Sequence, residues 1–284
     1  LLDKSLLHRA AGMYGEPRYV MLETVREYGL ERVVASGQEV LLRERHVNCF
    51  LQLIETAEYA RPNPDLEIIH LIDDEIHNVR AALAWIMNQN VQTALRLTAP
   101  LLSWYGLRDP YAEGRRLMDA VFAMPGASAR TIPRAKALIE AGYFMNRCNE
   151  NALARTFEEE AIAISQELGY KNGIADALLK LGMYEVRLWA GQGNACEYFE
   201  QSTAIYKELN DPARISYSLV QLAWVVFLRA DYPQARTLAE EALTVAQQAG
   251  LRDSFPYGVL GAIAYAEGDA NRARALQEQR LVIE

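Results

Sequence analysis

The sequence predicts an all-α solenoid of stacked helical hairpins, and three observations predict it. Leu222-Ala223 returns as Leu260-Gly261, and Ala235-Arg236-Thr237-Leu238 returns as Ala273-Arg274-Ala275-Leu276, both 38 residues on. Ala154-Arg155-Thr156 recurs as Ala235-Arg236-Thr237, which makes two periods of about 40 residues. Ala or Leu precedes Gly or Ala at each aligned place, 141–142, 181–182, 222–223 and 260–261. One hairpin cannot bury its apolar face alone, so repeats of this length stack. Such a chain is a surface for partners rather than a pocket for chemistry.

Residues 1–36 differ from the rest of the chain. Leu6-Leu7-His8-Arg9 and Arg18-Tyr19-Val20-Met21-Leu22 read as short strands around a turn-rich loop over 10–17. The next twelve residues, 23–34, carry apolar side chains at helical spacing, and Gly37 reads as the stop. Strand, loop, strand and helix is the layout of a wing followed by an exit helix.

The remaining elements rest on periodicity and breakers. Residues 39–61 form a helix with Val40, Leu41, Val47, Phe50, Leu51 and Ile54 on one face, ended by Arg61-Pro62-Asn63-Pro64. Residues 65–88 form another, and 93–105 with 112–124 make a hairpin around Arg108-Asp109-Pro110-Tyr111. Pro125-Gly126-Ala127-Ser128 is a break. The repeats come next, with helices expected at 132–147, 151–168, 173–189, 195–209, 213–229, 233–249, 255–266 and 270–283. Asp231 and Asp269 sit where they can cap the helices after them. Gly142, Gly182, Ala223 and Gly261 on the first helices, with Ala154, Ala235 and Ala273 on the second, let helices approach closely. Phe157, Tyr198 and Leu238 are expected to fill the grooves between units.

Composition narrows the function. Hydrophobic residues make up 51% of the 284 and charged residues 23%, a well-folded composition rather than a disordered one. A net charge of −8 argues against sequence-independent nucleic-acid binding, which needs a basic face. Cys49, Cys148 and Cys196 are odd in number and lack metal spacing, so we expect free, mostly buried thiols in a reducing cytoplasm. No apolar run reaches the roughly 18 residues of a membrane span, and no signal-peptide layout is present. The chain starts at Leu1 inside an apolar stretch and stops at Glu284 within an expected helix, which reads as a piece of a larger protein.

Three segments carry a resemblance. They are Leu2-Asp3-Lys4-Ser5-Leu6-Leu7, Gly15-Glu16-Pro17-Arg18-Tyr19, and Met21-Leu22-Glu23-Thr24-Val25-Arg26-Glu27-Tyr28-Gly29-Leu30-Glu31-Arg32. Together they resemble the end of the winged-helix subdomain of bacterial STAND proteins, signal-transduction ATPases with an NB-ARC-type module that are often LuxR-type or SARP-type transcriptional regulators. Asn78-Val79-Arg80-Ala81-Ala82-Leu83-Ala84-Trp85 resembles the helical linker that comes after it in those proteins.

The resemblance implies a right-handed superhelical solenoid of tetratricopeptide-like (TPR-like) hairpins behind a winged-helix remnant. The expected divisions are 1–37 for the end of the winged-helix subdomain, 38–125 for the linker and first hairpins, and 126–284 for the repeats. It also implies a core held inactive with ADP, a repeat arm that senses a ligand or protein, and ATP exchange on release. No Gly-x-x-x-x-Gly-Lys-Ser/Thr loop occurs here, so ATP, ADP and Mg are expected only in an upstream module. No cofactor is expected in this chain. Expected partners are a protein or peptide, or a small-molecule inducer, and the upstream ATPase module; neither nucleic acid nor membrane is expected. A free-standing scaffold that assembles other proteins is the alternative.

Candidate chemistry is sparse. His70, Asp74 and His77 share a helix face and could in principle hold a metal, but the acidic stretch Asp73-Asp74-Glu75 reads better as a solvated face. Gly191-Gln192-Gly193 lacks the preceding strand of a nucleotide fingerprint and reads as a turn. Glu158-Glu159-Glu160, partly echoed by Glu240-Glu241, reads as exposed second-helix positions. No catalytic constellation is present, and the chain is expected not to be an enzyme. In TPR-like arrays the first helices line the concave face. The binding candidates are therefore Lys136, Tyr143, Asn146, Arg147, Met183, Arg187, Tyr217, Trp224, Phe227 and Tyr265. Tyr, Trp and Arg are the types enriched at hot spots, while packing between units is the competing use of the aromatics.

Overall fold

The computed structural model describes residues 6–11, 17–58, 64–108, 110–189 and 193–283. Among them, thirteen helices follow one two-stranded antiparallel sheet. Strands β1 (Leu7–Ala11) and β2 (Pro17–Met21) pair from Leu7 opposite Met21 to Ala11 opposite Pro17. Then come α1 (Glu23–Ala35), α2 (Glu39–Glu58), α3 (Pro64–Ile86), α4 (Val91–Arg108) and α5 (Tyr111–Phe122). The repeat helices are α6 (Ile132–Arg147), α7 (Asn151–Glu167), α8 (Lys171–Trp189) and α9 (Ala195–Leu209). They continue as α10 (Pro212–Leu228), α11 (Tyr232–Gln248), α12 (Phe255–Ala266) and α13 (Ala270–Ile283). All eight lie within two residues of the ends expected from the repeat.

The turns explain these boundaries. Thr131, Asp211 and Asp231 accept hydrogen bonds from the backbone N–H of Arg134, Arg214 and Gln234 at the starts of α6, α10 and α11. Asp269 does the same for Arg272 at 2.9 Å. Each side chain satisfies one of the donors that a helix start leaves unpaired. Proline in the first turn of these first three helices costs nothing, because its missing N–H would have had no partner. Gly169 and Gly250 end the second helices α7 and α11 at φ of +65° and +69°, the left-handed conformation that suits glycine.

The hairpins α6–α7, α8–α9, α10–α11 and α12–α13 stack, and each first helix also touches the first helix of the next unit. α4 packs directly on α6 and with α5 forms the hairpin before the repeats. Close approach rests on the small residues. A β-carbon at Gly182 would lie 2.8 Å from Phe199 Cδ1, and one at Gly142 would lie 2.8 Å from Glu158 Cδ. The groove filler of the second repeat is therefore the fully buried Phe199, while its expected neighbour Tyr198 is half-buried. One core cluster runs from α2 to α7, with Phe144, Tyr105 and Leu101 at its centre. A second runs from α8 to α12, around Phe199, Tyr206 and Val225.

The hairpin β1–β2 is tied to α3 by Arg18, whose guanidinium lies 2.9 Å from Glu75 Oε1 and 3.3 Å from Asp74 Oδ1. Asp74 is thus engaged by Arg18, while His77 is exposed. No group of three His, Cys, Asp or Glu side chains among the described residues could hold a metal ion. No helix among them is long and apolar enough to cross a membrane. The cysteines correct an expectation: they are free, but Cys49 is exposed and Cys148 and Cys196 are only half-buried. Cys148 caps the end of α6 against the first core cluster, and Cys196 packs against the second. The motif residues 2–5, 15 and 16, the turn residue Asp109 and most of the 190–193 turn lie outside the described residues.

Candidate functional site

The first helices α6 and α8 lie side by side, with α7 packed against both. Between them opens a cavity of about 150 Å³. Tyr143, Asn146 and Arg147 line it from α6, and Met183 and Arg187 from α8, so five of the ten sequence candidates converge on one place. Leu181 and Tyr184 complete the apolar wall, and Ala154, Arg155 and Glu158 enter from α7.

Glu158 is the residue that sequence reasoning missed. It was expected to be exposed, yet it is 3% exposed, and neither carboxylate oxygen has a hydrogen-bond partner among the described residues. Its neighbours Glu159 and Glu160 are exposed and half-buried. Register gives the reason. Counted four residues from the repeat alanine, Glu158 after Ala154 aligns with Phe199 after Ala195 and with Ala239 after Ala235, both fully buried. One helical turn separates these positions, so both face the first helix of their own hairpin. The carboxylate therefore occupies a core site and lies over Gly142. Burial pushes its pKa well above the usual carboxylate range; Lys180 draws it down, and Glu140 and Asp176 push it further up.

The cations around it are engaged elsewhere. Lys180 Nζ sits 4.4 Å from the centre of the Tyr143 ring and 3.9 Å from Glu140. Arg155 binds Glu159 at 3.2 Å and lies 3.8 Å from the buried Glu185. Arg147 and Arg187 share a role one repeat apart. Arg147 Nε donates to the Gly106 carbonyl at 3.1 Å, and Arg187 Nη1 donates to the Asn146 carbonyl at 2.9 Å. Each arginine thus covers a carbonyl near the C-terminal end of the preceding first helix, where the helix dipole favours a cation. Arg187 also reaches Asn146 Oδ1 at 3.4 Å and Asn149 Oδ1 at 2.8 Å. Asn146 lines the cavity, and its buried Nδ2 group has no partner among the described residues.

The other candidates lie apart. Lys136 is half-buried toward the start of α6. On α10, Tyr217 packs edge-on against Phe255 at 6.0 Å, and Trp224 against Phe227 at 5.6 Å, with Tyr232 next to Phe227. All three α10 aromatics are half-buried against the second core cluster. Tyr265 is 74% exposed at the end of α12.

Comparison with known proteins supports the fold. No family model matches the chain. Proteins of Mycobacterium bovis and Mycobacterium tuberculosis, provisionally named helix-turn-helix (HTH)-type transcriptional regulators, are 26% identical to it over 264 residues. That match covers 89% of this chain, but the chain spans only 29% of their length. Among solved structures, a STAND protein with a tetratricopeptide repeat sensor from Pyrococcus horikoshii superposes with a TM-score of 0.59 at 15% identity. It covers 99% of this chain and 44% of its own. BtubC from P. vanneervenii gives 0.58 at 19% identity over 77% of this chain and 90% of its own. Repeat period, hairpin stacking and these likenesses agree that the chain is a TPR-like helical solenoid, similar in fold to the sensor-bearing STAND protein.

Proposed function

We propose that the chain is the non-catalytic sensor and interaction arm of a STAND-type signalling ATPase and transcription regulator. Its first helices bind a partner protein, a peptide or a small inducer, and occupancy controls autoinhibition of an upstream nucleotide-binding module that itself holds ATP, ADP and Mg. One observation carries the reading: side chains from two successive first helices converge on a single cavity of the solenoid. Likeness to a STAND protein described with a tetratricopeptide repeat sensor and to HTH-type regulators supports it.

The N-terminal surface fits the same reading. Helix α1 buries no residue, and Tyr19, Leu22, Tyr28, Leu30 and Val34 are exposed around it. Exposed apolar side chains on a helix that buries none of its own residues fit an element that packs against a partner. On this reading β1, β2 and α1 are the end of a winged-helix subdomain, and these side chains face the remainder of it. Placement in the cytoplasm is part of the same proposal.

The test is made on the full-length gene product. With the arm intact, the purified protein is expected to retain ADP and to exchange it slowly. Deleting residues 126–284 is expected to release exchange and switch on a transcriptional reporter without inducer. A gene product that binds no nucleotide would overturn the switch and leave a scaffold.

A further inference from the structure

Two unpartnered polar groups face the same cavity, and they are of opposite kinds. Glu158 presents a carboxylate that is 3% exposed, with neither oxygen bonded among the described residues. Asn146 presents a buried Nδ2 donor, likewise unbonded, whose orientation is fixed because Arg187 occupies its Oδ1. Glu158 lies over Gly142, and Asn146 is one turn further along the same helix, about 6 Å by helical rise. Buried polar groups are almost always satisfied, so a pair of orphans in one cavity asks for a ligand with a donor at one end and an acceptor at the other.

Charge decides the kind of donor. Lys180, on α8, is drawn to Glu140 and the Tyr143 ring. Asp176, also on α8, is held by Arg214 at 2.7 Å and by the Tyr206 hydroxyl at 2.6 Å. Glu158 is the acid that lines the cavity, and neither of its oxygens has a hydrogen-bond partner among the described residues, although the Lys180 charge acts on it from the same cavity. At the Asn146 end, Arg147 lines the cavity while its Nε holds the Gly106 carbonyl, and its positive charge favours an acceptor that carries negative charge. A cavity of about 150 Å³ suits a metabolite and excludes a folded segment. Tyr143, Tyr184 and Met183 give it an apolar and aromatic wall.

We propose that the cavity between α6, α7 and α8 binds a free α-amino acid, with its ammonium on Glu158 and its carboxylate on Asn146 Nδ2 and Arg147. The apolar wall favours an uncharged side chain. An ammonium stabilises the ionised carboxylate, so binding draws a proton off Glu158 and strengthens as pH rises through its elevated pKa. Glu140 and Arg147 on α6, Arg155 on α7, and Lys180, Asp176 and Arg187 on α8 are the other charged groups around it or lining its cavity. The proposal rests on the sensor reading and names the ligand class for its small-inducer branch.

The experiment is isothermal titration of the wild-type chain with each of the common L-amino acids, their N-acetyl derivatives and their amides. The expected result is binding by free amino acids with apolar or aromatic side chains, proton release measured in buffers of different ionisation heat, and at least about tenfold weaker binding by the N-acetyl forms and the amides. Glu158→Gln keeps shape but removes the charge, and is expected to weaken binding at least about tenfold with circular dichroism unchanged. No binding by any free amino acid overturns the proposal. Equal binding by N-acetyl derivatives, by amides or by Glu158→Gln also overturns it. If it fails while deletion of the arm still releases nucleotide exchange, the sensor reading stands and its ligand lies elsewhere on the solenoid. If deletion also has no effect, both fail.

Discussion

Replacing Glu158 by leucine is expected to stabilise the chain, an unusual outcome for a change at a buried position. The wild-type residue is 3% exposed and its oxygens are unpartnered among the described residues. An unsatisfied buried polar group costs about 1–3 kcal/mol, and more when charged. Leucine removes that cost and adds apolar contact at a register position that holds Phe199 and Ala239 in later repeats. Its branch must fit beside Gly142, which offsets part of the gain. The net expectation is a stabilisation of about 1–3 kcal/mol at about pH 8.

The pH dependence sharpens this test. Burial raises the native carboxyl pKa above the ordinary value of 4.5. A raised acid binds more protons in the native state than in the unfolded one, so its contribution is fully present below the unfolded value. It is lost as pH rises through the native value. The advantage of Glu158→Leu over wild type should therefore grow between about pH 5 and about pH 8. Buried Asp253 is raised for the same reason, but it is common to both chains and cancels. Urea unfolding followed by circular dichroism at both pH values measures the difference. A leucine variant less stable than wild type at the higher pH, or a gap independent of pH, would refute the claim that a lone carboxylate is buried there.

Further predictions concern packing and the groove. Gly142→Ala should cost about 1–3 kcal/mol because its β-carbon meets the Glu158 carboxylate. Adding Glu158→Ala should recover most of that loss, so a double-mutant cycle by urea unfolding should show strong coupling. On the outer first helices, Tyr265→Ala should change stability by less than about 0.5 kcal/mol, because the side chain is 74% exposed. Trp224→Ala should cost about 1–3 kcal/mol, because it breaks the edge-on contact with Phe227. A reporter response lost in Tyr265→Ala with thermal unfolding unchanged would mark α12 as part of the partner surface.

The architecture was legible in the sequence because one residue class recurs at one place in each unit. Asp231 and Asp269 cap the helices they were expected to cap, since a cap needs only a local reach of three residues. Half of the binding candidates meet in one cavity, because residues 40 apart sit at the same register of adjacent first helices. Glu158 was hidden by its run with Glu159 and Glu160, which looks like a solvated face. Counting from Ala154, as the repeat permits, would have placed it among core positions. Arg147 and Arg187 were chosen as hot-spot types, yet both also bond a carbonyl one unit back. Their equal register was the available sign of a shared structural role. The cysteines were misplaced because their type favours burial, whereas place in the element decides it, as at Cys148 on the end of α6.

The cavity also sits where two core clusters meet. The first core cluster ends in α7, at Ala154 and Phe157, and the second begins in α8, at Ala175. A small cluster with Ala135, Ala161, Ile164 and Ala177 bridges them. In a repeat array, stability is a sum of unit terms and nearest-neighbour interface terms, so a weakened interface divides the array into halves that unfold separately. Glu158 places an unsatisfied carboxylate beside this junction, in the cavity that α6, α7 and α8 share. A ligand that satisfies the carboxylate adds its binding free energy to that junction, about 2.7 kcal/mol at a hundred times its dissociation constant. Hydrogen exchange should then show α10–α13 opening independently of α4–α6 in the free wild type, and the two halves opening together in Glu158→Leu. Identical exchange energies for both halves in the free wild type would mean that the junction is already as strong as the rest. Occupancy of the cavity could not then be passed along the array in this way.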